Sequence, residues 1–170
     1  MASTFGVSKK FGPSGGPTET DNQNYMHLIG ADVLAGNAND YQTGSNQITI
    51  PPSSNAFSYE AWFRAKWTGT YHTITTVKFW RSSGPNPTGV TYKYATPGVA
   101  AASYATPVNT ASSLATTAIP TSEPGSSNVD TEGSAPNITS KFVVLQMTVA
   151  STASPGDVGE SQFTWKWTES

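Results

Sequence analysis

Phe142-Val143-Val144-Leu145-Gln146-Met147-Thr148-Val149 and Gln162-Phe163-Thr164-Trp165-Lys166-Trp167-Thr168 decide the fold class of this chain. The first is a near-continuous run of β-formers. The second alternates aromatic and polar residues, the two-residue period of a strand with one face buried. Between them Ala150–Gly159 is turn-rich and contains Ser154-Pro155-Gly156, a strong chain-reversal signal. The pair reads as two strands joined by that turn, so a β-strand is expected to close the domain.

Working upstream, the same period recurs. In Ser58–Trp67, Tyr59, Ala61, Phe63, Ala65 and Trp67 fall on one face, and Glu60, Arg64 and Lys66 share the other with Trp62. Tyr71–Arg81 is the next strand. Val77 and Phe79 are in phase there and Ile74 is not, which predicts a bulge between them. Val90, Tyr92 and Tyr94 alternate after the turn Gly84-Pro85-Asn86-Pro87. Gln47–Ile50 is expected as a short strand stopped by Pro51-Pro52, which cannot donate to a ladder. With the C-terminal pair this makes roughly six to eight strands, the range of a single antiparallel β-sandwich or jelly roll.

Two regions do not follow the pattern. Residues 1–45 hold Gly12-Pro13-Ser14-Gly15-Gly16-Pro17, Asp21-Asn22-Gln23-Asn24 and Gly36-Asn37-Ala38-Asn39-Asp40. So little apolar surface cannot offset the entropy of ordering such a segment. The expectation is an extended N-terminal arm over 1–45 and a sandwich domain over 46–170, which should stay folded when the arm is deleted. The arm's one apolar patch, with Tyr25, Met26, Leu28 and Ile29, is the candidate contact with a partner. The second region, 95–140, is rich in Ala, Ser, Thr and Pro and is expected as long loops, with a surface loop over 122–136. Tyr94-Ala95-Thr96-Pro97 is echoed by Tyr104-Ala105-Thr106-Pro107, each tyrosine placed to plug a core while Thr-Pro ends a short edge strand.

Composition narrows the function classes. Hydrophobic residues are 36% and charged residues 12% of the chain, the second about half the usual roughly 25%. A formal net charge of −2 supplies no basic field, so neither nucleic acid nor an anionic membrane surface is an expected partner. No run approaches the roughly 20 apolar residues of a membrane span. With no cysteine, neither a disulfide framework nor a thiolate metal site can form. The N-terminus lacks the apolar run of a secretory signal, so synthesis in the cytoplasm is expected. A texture like that of extracellular proteins, without a secretory route, fits a virion component that leaves the cell by lysis.

Candidates for chemistry are few. His27 and His72 lie apart and neither has a cluster of further ligand types, so both are read as structural. Glu60 is read as paired with Arg64 or Lys66 on a solvent face. Asp32, Asn37, Asn39 and Asp40 gather oxygen ligands without the spacing or terminal glutamate of an EF-hand, and calcium binding there stays open. No nucleophile triad, phosphate-cradling loop or dinucleotide fingerprint occurs. No catalytic residue, cofactor or metal is assigned. Of the five tryptophans, Trp62 and Trp80 are candidates for an exposed aromatic platform that stacks on sugars, and core packing is the competing reading.

Ile74-Thr75-Thr76-Val77-Lys78-Phe79-Trp80-Arg81-Ser82-Ser83-Gly84, Phe142–Met147, Ala153-Ser154-Pro155-Gly156 and Phe163-Thr164-Trp165 resemble stretches of small β-sandwich structural proteins of tailed-phage virions, of the head decoration or cement type. The resemblance covers residues 57–170 and implies a β-sandwich seated on a capsid lattice. The implied partners are the major capsid protein or other virion subunits and further copies of the chain, with a trimer as one expected state. The function it implies is non-enzymatic stapling of the assembled shell. The alternatives are a carbohydrate-binding adhesion module on a tail or fibre, and a tail or neck structural component.

Overall fold

The computed structural model describes residues 3–10, 12, 19–21, 48–156 and 159–170. These residues form an antiparallel β-sandwich, in accord with the fold class read from the sequence. Eleven strands run β1 (Ser3–Lys10), β2 (Glu19–Thr20), β3 (Asn55–Phe57), β4 (Ala61–Gly69), β5 (Ile74–Ser83), β6 (Val90–Tyr94), β7 (Thr117–Ala118), β8 (Thr131–Ser134), β9 (Asn137–Ser140), β10 (Val143–Ala150) and β11 (Gln162–Glu169). The strands not expected from the sequence are β1 and five pieces two to four residues long.

The sheets are unequal. A nine-stranded sheet runs β2-β1-β4-β10-β6-β7, with β3 on β10 and the β8–β9 hairpin on β4, and a two-stranded sheet holds β5 and β11. The C-terminal strands therefore do not pair with each other. β10 lies in the centre of the large sheet between β4 and β6, and the Ser-Pro-Gly turn carries the chain across the sandwich so that β11 pairs with β5. The sequence difference between the two runs has this cause: β10 is buried on both faces, whereas β11 offers one face to the core and one to solvent.

Between the sheets lies the main core. Ala61, Phe63, Ala65 and Trp67 of β4 meet Val77 and Phe79 of β5, Tyr92 and Tyr94 of β6, and Leu145, Met147 and Val149 of β10, as the two-residue period requires. Phe79 is its hub, with ring centroids 5.4 Å from Phe63, 4.7 Å from Trp165 and 5.7 Å from Phe163, the last pair stacked. The bulge expected in β5 is present. Its register against β11 shifts between Lys78 and Thr75, and Thr76 sits at φ 53°. That extra residue lets Ile74 and Val77 both point inward.

Several expectations are corrected. Ile48 and Ile50 form no strand but pack on the core, and the short strand follows the two prolines at Asn55–Phe57. Within 122–136 the chain forms β8 and the turn into β9, so that stretch is not loop throughout. Most consequential is β1. Ser3–Lys10 pairs along its whole length with β4, from Ser3 opposite Gly69 to Lys10 opposite Trp62. The described part of the expected arm is thus a strand of the sandwich itself. Tyr25, Met26, Leu28 and Ile29 lie outside the described residues.

The outer face of the large sheet is also covered. Trp62, Phe142 and Val144 form a second buried cluster with Ala95 and Ala115, and Val99, Tyr104 and Leu114 of the 95–116 strap close over it. The strap has a 3-10 turn at Ala101–Ser103 and is otherwise irregular; a Val99–Phe142 bridge and the Glu60 N–Val108 O bond tie its backbone down, and side chains add to them. Gln146 accepts from Ser112 N (2.9 Å) and donates to Ser58 O (2.9 Å) and Thr110 O (2.8 Å). Glu60, 4% exposed, accepts from Ser112 Oγ and from Trp62 Nε1 at 3.2 Å. A buried carboxylate is retained only where donors replace its water; here they come from strap and sheet together.

Candidate interaction surface

The residues singled out for function separate sharply in the structure. Trp62, placed correctly on the face opposite the main core, is not a platform: it is 0% exposed beneath the strap, with Tyr104 4.9 Å away edge-on. Glu60 is not paired with Arg64 or Lys66 on a solvent face; it fastens the strap. Both corrections have one cause. Strand period tells which face a side chain takes, and cannot tell that a segment some 40 residues away covers that face. Trp80 is half-buried on the outer face of the small sheet, with Lys78 and Ser82 on its own strand and Thr164 directly opposite. His72 is exposed. His27, Asp32, Asn37, Asn39 and Asp40 lie outside the described residues. Among the described residues, no group of three or more His, Cys, Asp or Glu is placed to hold a metal ion, and no helix is long and apolar enough to cross a membrane.

The most elaborate polar construction is the attachment of the N-terminal segment, and sequence reading missed it. Among the described residues of this segment (3–10, 12 and 19–21), three clamps hold it, each from a different part of the chain. At the start of β1, Ser3 N donates to Glu169 Oε1 (3.0 Å) and Ser3 Oγ to Glu169 Oε2. Beside it Phe5 stacks on Trp167 at 4.7 Å and 15° and lies 6.1 Å from Trp67, which is 0% exposed. At the far end Tyr104 Oη donates to Gly12 O (2.7 Å), and Lys10 Nζ stands 4.3 Å above the Tyr104 ring. Between them Glu19 receives a two-pronged bond from Arg64, Nε and Nη2 both at 2.8 Å, and a third from Ser8 Oγ. Planar guanidinium against planar carboxylate is the strongest ion-pair geometry available to side chains.

Arg64 is the centre of this middle clamp. Its Nη1 reaches Glu132 at 2.9 Å and Thr139 at 3.2 Å, and its guanidinium lies 4.7 Å over the Phe142 ring. Lys66 extends the network to Asp21 at 2.6 Å. Burial by itself would raise the Glu19 carboxyl. The bonds from Arg64 and Ser8 and the charges of Arg64 and Lys66 outweigh it and bring the pKa down to about 2. A carboxylate held below its ordinary 4.5 stabilises the fold fully above that value and loses the contribution as pH falls toward 2. Glu19→Gln is therefore expected to cost about 1–3 kcal/mol at neutral pH. The gap to wild type should narrow from pH 4.5 down through 2, with most of it gone at 2, read by denaturant unfolding at each pH. A gap that is constant with pH would mean that the pair is not formed.

On the core face of β1, Lys9 stands opposite Phe63 and is 6% exposed. Burial lowers its pKa, since the charged form is the one that loses water. Among the described large hydrophobics, Phe5 at 37% and Val108 at 38% are the exposed ones. One lies on the N-terminal strand and the other on the strap, the two segments wrapped around the sandwich. Compared with protein-family models, with curated proteins and with solved structures, the chain matches none.

Proposed function

We propose that this chain is a non-enzymatic structural protein of a virion, of the head decoration or cement kind, which binds the assembled shell through residues that follow the N-terminal clasp. The observation that carries the reading is the anchor at Glu19–Asp21. Arg64 and Lys66 fix this point on the sandwich, and the apolar patch Tyr25, Met26, Leu28 and Ile29 begins four residues beyond it in sequence. A docking segment that starts from a fixed point searches less conformational space before it engages a neighbour. Binding the assembled shell and not its loose subunits stabilises the shell by mass action. Copies repeated on a lattice add avidity, so each contact can be weak. The partners in this reading are the major capsid protein or other virion subunits, and the copies associate as a homo-oligomer, with a trimer the first state to test.

A second reading, an adhesion module that binds carbohydrate, has Trp80 in its favour: an aromatic on a sheet face among Thr164, Ser82 and Lys78 has the donors and acceptors that sugars use. One set of variants separates the two. Leu28→Asp/Ile29→Asp is expected to lose occupancy on co-purifying particles, seen by cryo-electron microscopy, with thermal unfolding unchanged, while Trp80→Ala keeps it. Full occupancy by the first variant would sink the decoration reading, and glycan-array binding abolished by Trp80→Ala would install the second.

A further inference from the structure

We propose that residues 3–21 are an exchangeable element: in a pair of copies, the β1–β2 segment of each lies on the β4 edge of the other, so that the second copy supplies Phe5 and Glu19 to the first copy's clamps. The proposal does not depend on the virion reading.

The contacts described between residues 3–10, 12 and 19–21 and the body of the sandwich are remote in sequence. β1 pairs with β4. Ser3 meets Glu169, 166 residues away; Gly12 meets Tyr104, 92 away; Glu19 meets Arg64, 45 away. Within the segment the described pairing is β1 with β2, at Lys9–Thr20 and Lys10–Glu19, and that pairing travels with it. No contact depends on which chain the segment belongs to. An identical segment from a second copy recovers the same ladder, the same Phe5 stack on Trp167 and the same Glu19–Arg64 fork, and exchange conserves all of them.

The site that would accept it is specific. Without β1, the Trp62–Gly69 edge of β4 lacks a partner along eight residues, an open template for an incoming strand. The seam between the sheets would then expose Trp67 and Trp167, and Arg64 would face the gap with its cationic fork. The incoming strand must therefore carry an aromatic to fit the seam and be followed by a carboxylate that can fold back to Arg64, as Glu19 does after Phe5. Phe5 and Glu19 meet that specification, and Lys9, pointing inward opposite Phe63, penalises strands in other registers. Residues 22–47 join the segment to the sandwich. A chain of that length spans at most roughly 90 Å, against a width of roughly 40 Å for a domain of this size, so the connection reaches a neighbour's β4. Closed, two-fold exchange of this kind uses one surface twice and leaves no edge for further growth.

The chain has no cysteine, so a disulfide reports the exchange without interference. Thr4 and Thr68 stand directly opposite each other, both exposed, within the separation that a disulfide bridges. Thr4→Cys and Thr68→Cys, each in the full chain, are mixed, unfolded, refolded together at high concentration and oxidised. The expected product is a Thr4–Thr68 mixed dimer on a non-reducing gel, several-fold above the mixture of Thr4→Cys with Thr91→Cys, which lies on β6. The doubly substituted chain is expected to close within one molecule when refolded dilute and between molecules when refolded concentrated. Mixed dimer no higher than in the Thr91 control, while the double variant closes internally at every concentration, would overturn the proposal. So would a double variant that never closes, since β1 would then not lie on β4.

Discussion

Phe79→Ala is expected to destabilise the sandwich by about 3–5 kcal/mol, a large share of the roughly 5–15 kcal/mol that holds a domain of this kind together. Phe79 is 0% exposed and touches four rings from three strands: Phe63 of β4, Tyr94 of β6, and Phe163 and Trp165 of β11. Truncation removes the ring's transfer free energy and leaves a cavity that none of these rigid neighbours can fill, because each is pinned by its own strand ladder. The small sheet has only two strands, and Phe79 carries its ring contacts to Phe63 and Tyr94 of the large sheet. A fall in melting temperature of about 10 °C or more by circular dichroism is the expected reading. Loss below about 1 kcal/mol, the range of exposed sites, would mean that the two sheets do not meet at Phe79.

Deleting residues 1–12 is expected to cost a comparable amount, about 3–5 kcal/mol, and to make the protein prone to aggregate. The sequence alone led to the opposite expectation, that an N-terminal arm could be removed without harm. The structure gives β1 three tasks. It pairs the β4 edge from Trp62 to Gly69, covers the seam at Trp67 and Trp167 with Phe5, and supplies Ser8 to the carboxylate of Glu19. Removing it exposes an eight-residue edge and two indoles at once. Urea unfolding of the truncated chain should show a lower midpoint, and size-exclusion chromatography should show material in the void volume. A truncated chain with unchanged midpoint and a monomeric profile would make the segment an arm after all.

The two errors about exposure and the one about the arm share an origin. Glu60 and Trp62 were put on the right face of β4, because side-chain direction alternates strictly along a strand and is a local property. Whether that face meets water was decided by the 95–116 strap, whose composition of Ala, Ser, Thr and Pro carries no period to signal burial. Ser3–Lys10 likewise has a weak signal: Phe5, Val7 and Lys9 share its inner face, and a lysine in that row conceals the alternation. The crossing of the C-terminal pair was illegible for a related reason, since two strands with a turn between them read alike whether they form a hairpin or span two sheets. The bulge in β5, by contrast, was legible, because a phase break between Ile74 and Val77 has no other remedy within one strand.

The sequence by itself determined the fold class, the strands β4, β5, β6, β10 and β11, the core face along β4 and β6, and the absence of thiol chemistry. These are consequences of two-residue periodicity and residue identity, which act over a few positions. Only the tertiary structure decided which strands pair, that Ser3–Lys10 completes the large sheet, that Trp62 is sealed while Trp80 is half open, and that Arg64 gathers Glu19, Asp21's neighbour Lys66 and Glu132 into one clasp. Those features depend on contacts between residues far apart in the chain, such as Glu19 with Arg64, 45 positions away, and Ser3 with Glu169, 166 away. Long-range contacts of this kind are selected by closure of the whole core, and no local pattern in the chain encodes them.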